Sequence, residues 1–186
     1  MQENIIVKTK FGIFWNLLER FGVQGLGFVF GIILARILSP NDYGIIALLM
    51  VFIAFSSVFI ESGFLRALIQ RQDRNEYDFS TVFIFNIVVA IVFYLILFFT
   101  APFIAEFYKI PELTNLARVL FLLIILQSLR IVQTAKFQIN VDFKTIAFIN
   151  LTALIIGCSF GLICALNGLG VWSLVWQNLI FQVRSE

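Results

Sequence analysis

Residues 82–99 read VFIFNIVVAIVFYLILFF and decide the fold class of this chain. An α-helix rises about 1.5 Å per residue, and the hydrocarbon core of a bilayer is about 30 Å thick, so a run of this length nearly crosses it. Asn86 is the main polar interruption. With its apolar flanks the run predicts a membrane-spanning helix over about residues 79–107.

The composition of the whole chain agrees with this local pattern. Its 186 residues are 61% hydrophobic and 13% charged, whereas a soluble domain carries about 25% charged residues. Such a chain cannot cover a water-facing surface with polar side chains. The net charge is only +2 and the basic residues sit at the ends of apolar runs, so no nucleic-acid partner is expected.

Similar apolar runs recur along the chain, separated by short polar segments. The expected helices cover about residues 11–38, 43–69, 79–107, 113–139, 143–166 and 171–183. This pattern predicts an all-α fold, a polytopic transmembrane bundle of about six spanning helices that forms a single domain over residues 1–186. The last run gives only about 20 Å of helix, so we expect the chain to be truncated inside a larger protein.

The connections between the runs carry signals for helix ends. Ser39 is placed to cap the second helix, with Pro40 at its first position and the acidic Asp42 at its third. Pro102 is expected to kink or end the third helix, and Pro111 to open the fourth at about residue 113. The connection at residues 39–42 is short, so the first two helices are expected to be antiparallel.

The distribution of lysine and arginine predicts the orientation in the membrane, because cytoplasmic ends carry an excess of both. One side of the expected bundle carries Lys8, Lys10, Arg66, Arg71, Arg74, Lys136, Lys144 and Arg184. The other side carries Arg36, Lys109 and Arg118. The first side is therefore expected to be cytoplasmic, together with the N-terminus.

Polar residues inside the spans are the best candidates for function, because an ionisable group at a helix centre costs about 2.5 to 3.5 kcal/mol on insertion scales. The first helix carries a stripe with a spacing of three or four residues, formed by Gly12, Asn16, Arg20, Gln24, Gly27 and Gly31. This spacing puts the stripe on one face, which is expected not to contact lipid. In the fifth helix, Asn150, Ala153, Gly157, Gly161 and Ala165 form a stripe expected to serve close helix packing.

Arg20 and Glu61 are expected at similar depths, so they can form a pair. Two interpretations stay open: the two charges neutralise each other between packed helices, or they contact a substrate. Arg130 in the fourth helix can equally snorkel to the cytoplasmic headgroups. Glu19 lies next to Arg20 and can face another helix.

Catalytic and metal-binding patterns are weak. The chain has no histidine, which removes the usual general base and the commonest metal ligand. Cys158 and Cys164 point to different helix faces and are interpreted as small core residues. The acids near residues 73–78 are mixed with arginines in a short loop, which is typical of a solvated connection. We therefore expect no enzyme activity, no catalytic residue, no metal and no cofactor.

Three segments also carry a family resemblance. They are ARILSPNDYG at residues 35–44, ESGFLRALIQR at residues 61–71 and GVWSLVWQ at residues 170–177. They resemble the polysaccharide transport proteins, the Wzx-like flippases of the multidrug, oligosaccharidyl-lipid and polysaccharide exporter superfamily, which also contains the MATE transporters. The first segment is the most specific, and the resemblance covers essentially the whole chain.

The resemblance implies two lobes of six or more helices around a central cavity. It also implies alternating access that moves an undecaprenyl-pyrophosphate-linked oligosaccharide, a unit of O-antigen, capsule or exopolysaccharide, across the bacterial inner membrane. The chain would supply most of the N-terminal lobe as an N-terminal fragment. Its expected partners are this lipid-linked substrate, membrane lipids and the absent C-terminal lobe of the same protein.

On this interpretation the residues expected to line the substrate cavity are Arg20, Gln24, Glu61, Arg130, Glu19 and Asn16. A pyrophosphate in a low-dielectric layer needs cations to replace its hydration, and arginine binds phosphate oxygens in bidentate fashion. Arg20 is the first candidate for this contact. The alternative is a MATE-like cation or drug antiporter in which Glu61 or Glu19 carries the coupling proton, which would require a net acidic cavity.

Overall fold

A computed structural model describes residues 2–60, 76–139 and 143–184, and within these ranges it contains helices and no strand. The helices are α1 (Gln2–Ala35), α2 (Pro40–Ile60), α3 (Glu76–Tyr108), α4 (Leu113–Leu120), α5 (Leu122–Ile139), α6 (Phe143–Leu166) and α7 (Val171–Arg184). The all-α fold class is confirmed.

Five helical segments of the described chain are long and apolar enough to cross a membrane. They are Leu17–Ala35, Pro40–Ile60, Ser80–Tyr108, Leu113–Arg130 and Lys144–Leu166. The protein is therefore a multi-pass membrane protein. The last described helix, α7, has 14 residues, fewer than the roughly 20 that a full crossing needs.

The end of α3 is close to the predicted one, whereas the next predicted helix is divided in two. Pro102 lies inside α3, which continues to Tyr108; membrane helices tolerate proline where neighbouring groups satisfy the freed carbonyl. The helix expected over residues 113–139 is interrupted at the fully buried Phe121, which separates α4 from α5. The chain turns tightly there, because the Ile124 N–H donates to the Phe121 carbonyl at 3.0 Å, three residues back.

The start of α2 follows the expected capping pattern. The backbone N–H of Ser39 donates to Asp42 Oδ2 at 2.8 Å, and the Ser39 hydroxyl donates to the same oxygen at 2.9 Å. In return, the N–H of Asp42 donates to Ser39 Oγ at 3.3 Å. These bonds satisfy backbone donors that the first turn of a helix leaves without partners. The predicted cap is confirmed.

Helices α6 and α7 form a hairpin with a tight turn at Gly168, whose φ is 77°. The N–H groups of Gly168 and Leu169 donate back to Ala165 at 3.0 Å and Cys164 at 3.2 Å, as in a Schellman helix end. Only glycine adopts this backbone conformation without steric cost. The turn directs α7 back along α6.

The small-residue stripe of α6 lies against α7, as expected. A Cβ atom added at Gly157 would lie 3.0 Å from the carbonyl oxygen of Gln177 and 3.1 Å from the backbone nitrogen of Phe181. At Gly161 it would lie 2.8 Å from Gln177 Cβ. Close backbone approach of this kind strengthens van der Waals packing, one of the sources of attraction between helices in lipid, where there is no hydrophobic driving force.

Helix α1 joins the bundle mainly through α6. Gly22 is so close to α6 that an added Cβ would lie 2.9 Å from Leu151 Cδ2. The ammonium of Lys144, at the start of α6, lies 5.8 Å from the ring centre of Trp15. The opposite side of α1 is uncovered, as the 69% exposure of Phe28 indicates. The first part of α1 is therefore held in place by α6.

We expect Gly157→Ala to destabilise the bundle by about 1 to 3 kcal/mol, because the added methyl group meets the backbone of α7, which cannot rotate away. Unfolding in detergent, followed by circular dichroism, measures the change. Gly25→Ala is the matched control, since nothing lies within 4 Å of a Cβ there. It should gain up to about 1 kcal/mol from helix propensity. Equal stability of the two variants would contradict the close α6–α7 contact.

We expect Ser39→Ala to lower the free energy of unfolding by about 1 kcal/mol, because it removes the hydroxyl that caps α2. The same unfolding measurement applies. Asn41→Ala, two residues further along and exposed, is the control and should change little. A loss of the same size in both variants would mean that the cap does not stabilise the helix start.

Candidate functional site

A cavity of about 250 Å³ lies between four helices. Its lining residues are Glu19, Arg20, Val23 and Gln24 from α1, Arg130 from α5, Asn150 from α6, and Phe181 and Gln182 from α7. Most of the lining side chains are charged or carry amide groups. The cavity is therefore a polar site within a largely apolar bundle.

The helix arrangement brings these residues to one end of the bundle. Arg20 lies about 5 Å beyond the start of the apolar segment at Leu17, and Asn150 lies about 9 Å beyond the start of its segment at Lys144, at 1.5 Å per residue. The α6–α7 hairpin places the end of α7 beside the start of α6, which brings Gln182 to the same level. The cavity therefore lies toward the end of the bundle where α1 begins.

A hydrogen bond across the cavity joins α1 to α6. The Asn150 Nδ2 group donates to Glu19 Oε1. Both residues are half-buried, so this is a charge-assisted bond that water screens only in part. The bond fixes one carboxylate oxygen of Glu19 toward α6.

The ionisable side chains that line the cavity are two arginines and one glutamate. Arg20 is exposed and Arg130 is half-buried. A concave site with an excess of one charge concentrates its field in the opening, and more so where the walls are apolar. Guanidinium groups present donors that match the oxygens of carboxylate or phosphate. The described lining therefore favours an anionic ligand.

Amide side chains complete the lining. Gln24 is exposed, whereas Gln182 is only 6% exposed. Amides both donate and accept hydrogen bonds, so they suit hydroxyl groups or phosphate oxygens of a ligand. Within the described residues, no three His, Cys, Asp or Glu side chains come together to hold a metal ion.

Four of the residues predicted from the sequence line this one cavity: Glu19, Arg20, Gln24 and Arg130. Glu61 lies outside the described residues, and so does the side chain of Asn16. The expected pair between Arg20 and Glu61 stays a prediction for the same reason. Arg130 is 110 positions from Arg20 in the chain, so helix packing brings it to the three residues of α1.

The glycine half of the α1 stripe does not line the cavity. Nothing lies within 4 Å of a Cβ placed at Gly27 or Gly31. In this chain that part of the α1 face is uncovered, whereas the polar half at Arg20 and Gln24 faces the cavity. The stripe is therefore divided into two surfaces with different surroundings.

The sequence pattern places Asn150 in the packing stripe and singles out neither Phe181 nor Gln182. Asn150 is the one polar member of that stripe, and this difference distinguishes it from the packing residues. Gln182 had no comparable signal, because the similar Gln177 on the same helix instead donates to Cys158 Sγ at 3.3 Å. Gln177 packs against Gly157 and Gly161, further from the cavity end of the hairpin, whereas Gln182 lies at the level of Asn150.

Comparison with known proteins gives a consistent set of relatives. A family model described as polysaccharide biosynthesis protein matches residues 33–185. The succinoglycan biosynthesis transport protein ExoT of Rhizobium meliloti is 32% identical over 89% of this chain and 34% of its own length. The lipopolysaccharide biosynthesis protein WzxC of Escherichia coli is 25% identical over 93% of this chain and 34% of its own.

A third relative is the teichuronic acid biosynthesis protein TuaB of Bacillus subtilis, which is 30% identical over 58% of this chain and 22% of its own length. No solved structure matches the chain significantly. The chain spans about a third of the length of the first two relatives. The similarity therefore covers one part of each relative.

We expect a cysteine introduced at Gln24 to react with a water-soluble thiol reagent, because this exposed residue lines the cavity. Cys158 and Cys164 are buried and should react slowly. Phe28→Cys, one turn further along α1, is the control and should stay unlabelled within the bilayer. A reagent that cannot cross the membrane should label position 24 from the cytoplasm only. Labelling from outside the cell would contradict the predicted orientation.

Proposed function

Because the chain belongs to the polysaccharide biosynthesis protein family, we propose that it forms part of a flippase. The proposed cargo is an undecaprenyl-pyrophosphate-linked oligosaccharide, which moves from the cytoplasmic to the periplasmic leaflet of the bacterial inner membrane. The three relatives are named for succinoglycan, lipopolysaccharide and teichuronic acid. Since these polysaccharides differ, the names do not identify the glycan that this chain would handle.

The observation that carries the proposal is the excess of arginine over acid in the cavity. A pyrophosphate carries concentrated negative charge and loses hydration when it enters a low-dielectric layer. Arg20 and Arg130 can replace part of that hydration through bidentate hydrogen bonds. Their position near one end of the bundle suits a headgroup that enters from the membrane surface.

The proposed mechanism is alternating access around the cavity. Arg20 is exposed and meets the pyrophosphate first, and the half-buried Arg130 adds a second cation. Gln24 and Gln182 hydrogen-bond to phosphate oxygens or to the first sugar. Asn16 and Glu61 remain proposed lining residues; an acid at position 61 would compete with phosphate for Arg20 and assist release.

A MATE-like antiporter for cations or drugs is the competing proposal, with Glu19 or Glu61 as the proton carrier. It needs a net acidic binding site. In the described lining Glu19 is the one acid beside two arginines, which disfavours a cationic ligand. A catalytic role is also disfavoured, because one of the relatives is named as a transport protein.

We expect Arg20→Ala to reduce flipping about tenfold or more, since a hydrogen bond to a charged group contributes about 1.5 to 3 kcal/mol. The measurement uses a strain that lacks the native gene and carries the variant. A glycan probe that cannot cross the membrane reports the leaflet of the lipid-linked oligosaccharide. The substrate should accumulate in the cytoplasmic leaflet, and Arg20→Lys should restore part of the activity by keeping the charge.

Arg36→Ala is the matched control, because Arg36 is exposed just after the opposite end of α1. It should leave flipping close to the native level. Normal surface glycan in the gene deletion, together with increased sensitivity to cationic drugs, would overturn the flippase proposal in favour of the antiporter. Accumulation in the deletion, with full activity of Arg20→Ala, would reject Arg20 as the phosphate contact.

A further inference from the structure

The hydrogen bond between Asn150 and Glu19 lies in the wall of the same cavity that contains Arg20 and Arg130. The two residues are 131 positions apart in the chain. Helix packing, rather than local sequence, therefore places a neutral amide donor against the one acid of the described lining. This bond affects whether Glu19 competes with a bound anion for the nearby Arg20.

A carboxylate beside guanidinium groups competes with an incoming phosphate for the same donors. Carboxylate and phosphate oxygens bind arginine with the same bidentate geometry, and attraction between charges is strengthened where water is partly excluded. A carboxylate that is free to turn toward Arg20 would therefore occupy the cation before the ligand arrives. An acid in an anion site needs a partner that restrains it.

We propose that Asn150 is a positioning residue that holds the Glu19 carboxylate against α6 and thereby keeps Arg20 available to the phosphate groups of the ligand. This inference rests on the proposed function. An amide suits the task because it donates a hydrogen bond to the carboxylate and carries no charge. A lysine at this position would bind the ligand itself, and an aspartate would repel both Glu19 and the ligand.

The α1–α6 interface does not depend on this bond alone. Gly22 contacts Leu151 closely on one side of it, and the ammonium of Lys144 lies over the Trp15 ring on the other. These contacts hold the two helices together when the Asn150 amide is removed. Variants at position 150 should therefore fold, and they should change the orientation of the Glu19 side chain.

The test measures binding of undecaprenyl pyrophosphate to the protein as its gene encodes it, reconstituted in nanodiscs. Undecaprenol, which has the same chain and no phosphate, is the control ligand. Asn150→Ala should weaken binding of the pyrophosphate about tenfold, the scale expected when one charge-assisted hydrogen bond is lost and its acceptor becomes a competitor. Asn150→Asp should weaken it further.

The decisive variant is the double change of Asn150→Ala with Glu19→Gln. Glutamine is nearly the same size as glutamate and carries no charge, so it cannot compete for arginine as a carboxylate does. If Asn150 acts through Glu19, the double variant should bind as tightly as the protein with Glu19→Gln alone. A purely structural role of Asn150 predicts that Asn150→Ala weakens binding equally in both backgrounds.

The outcomes separate the two proposals. If the native protein binds the pyrophosphate no better than undecaprenol, the proposed phosphate contact fails and the inference about Asn150 fails with it. If the native protein binds it and Asn150→Ala binds equally well, only the inference is overturned. Weak binding that Glu19→Gln does not restore also overturns it, since the amide would then act on helix packing.

Discussion

The close approach of α6 and α7 is the contact on which the site depends. At Gly157 the two backbones are so near that even a methyl group would meet the carbonyl of Gln177. In lipid, where apolar side chains gain nothing by leaving the solvent, such contact replaces the hydrophobic effect as the source of helix attraction. It sets the distance of α7 from α6 and places Phe181 and Gln182 at the level of the cavity.

Helix α1, which lines one side of the cavity, is attached to α6, which lines the neighbouring side. Helix α1 has few contacts outside α6, and it is held there by Gly22, by the Trp15–Lys144 contact and by the hydrogen bond to Glu19. Each of these lies in the first two-thirds of α1. These contacts fix the part of α1 that lines the cavity. At Gly27 and Gly31, in contrast, no atom of the described chain lies within 4 Å of an added Cβ.

The local features of this fold could be predicted from the sequence, because their causes are local. Ser39 and Asp42 cap each other across one turn, and the spacing of Arg20 and Gln24 puts them on one helix face regardless of the tertiary structure. Contacts between distant residues could not be predicted. The partner of Glu19 depends on the rotation of two helices. The interruption at Phe121 could not be predicted either, because no proline or glycine lies next to it.

The depth of the charges bears on how the proposed flippase would work. Arg20 lies about 5 Å inside its apolar segment, where a long side chain can still reach water and the cost of insertion is lower than at the centre. An anion that binds there exchanges water for guanidinium without first crossing the hydrocarbon. Beyond Asn150, the later positions of α6 offer no charged side chain to such an anion. The proposed alternating access accounts for this arrangement, since the anion would stay at the guanidinium groups while the cavity opens toward the other side.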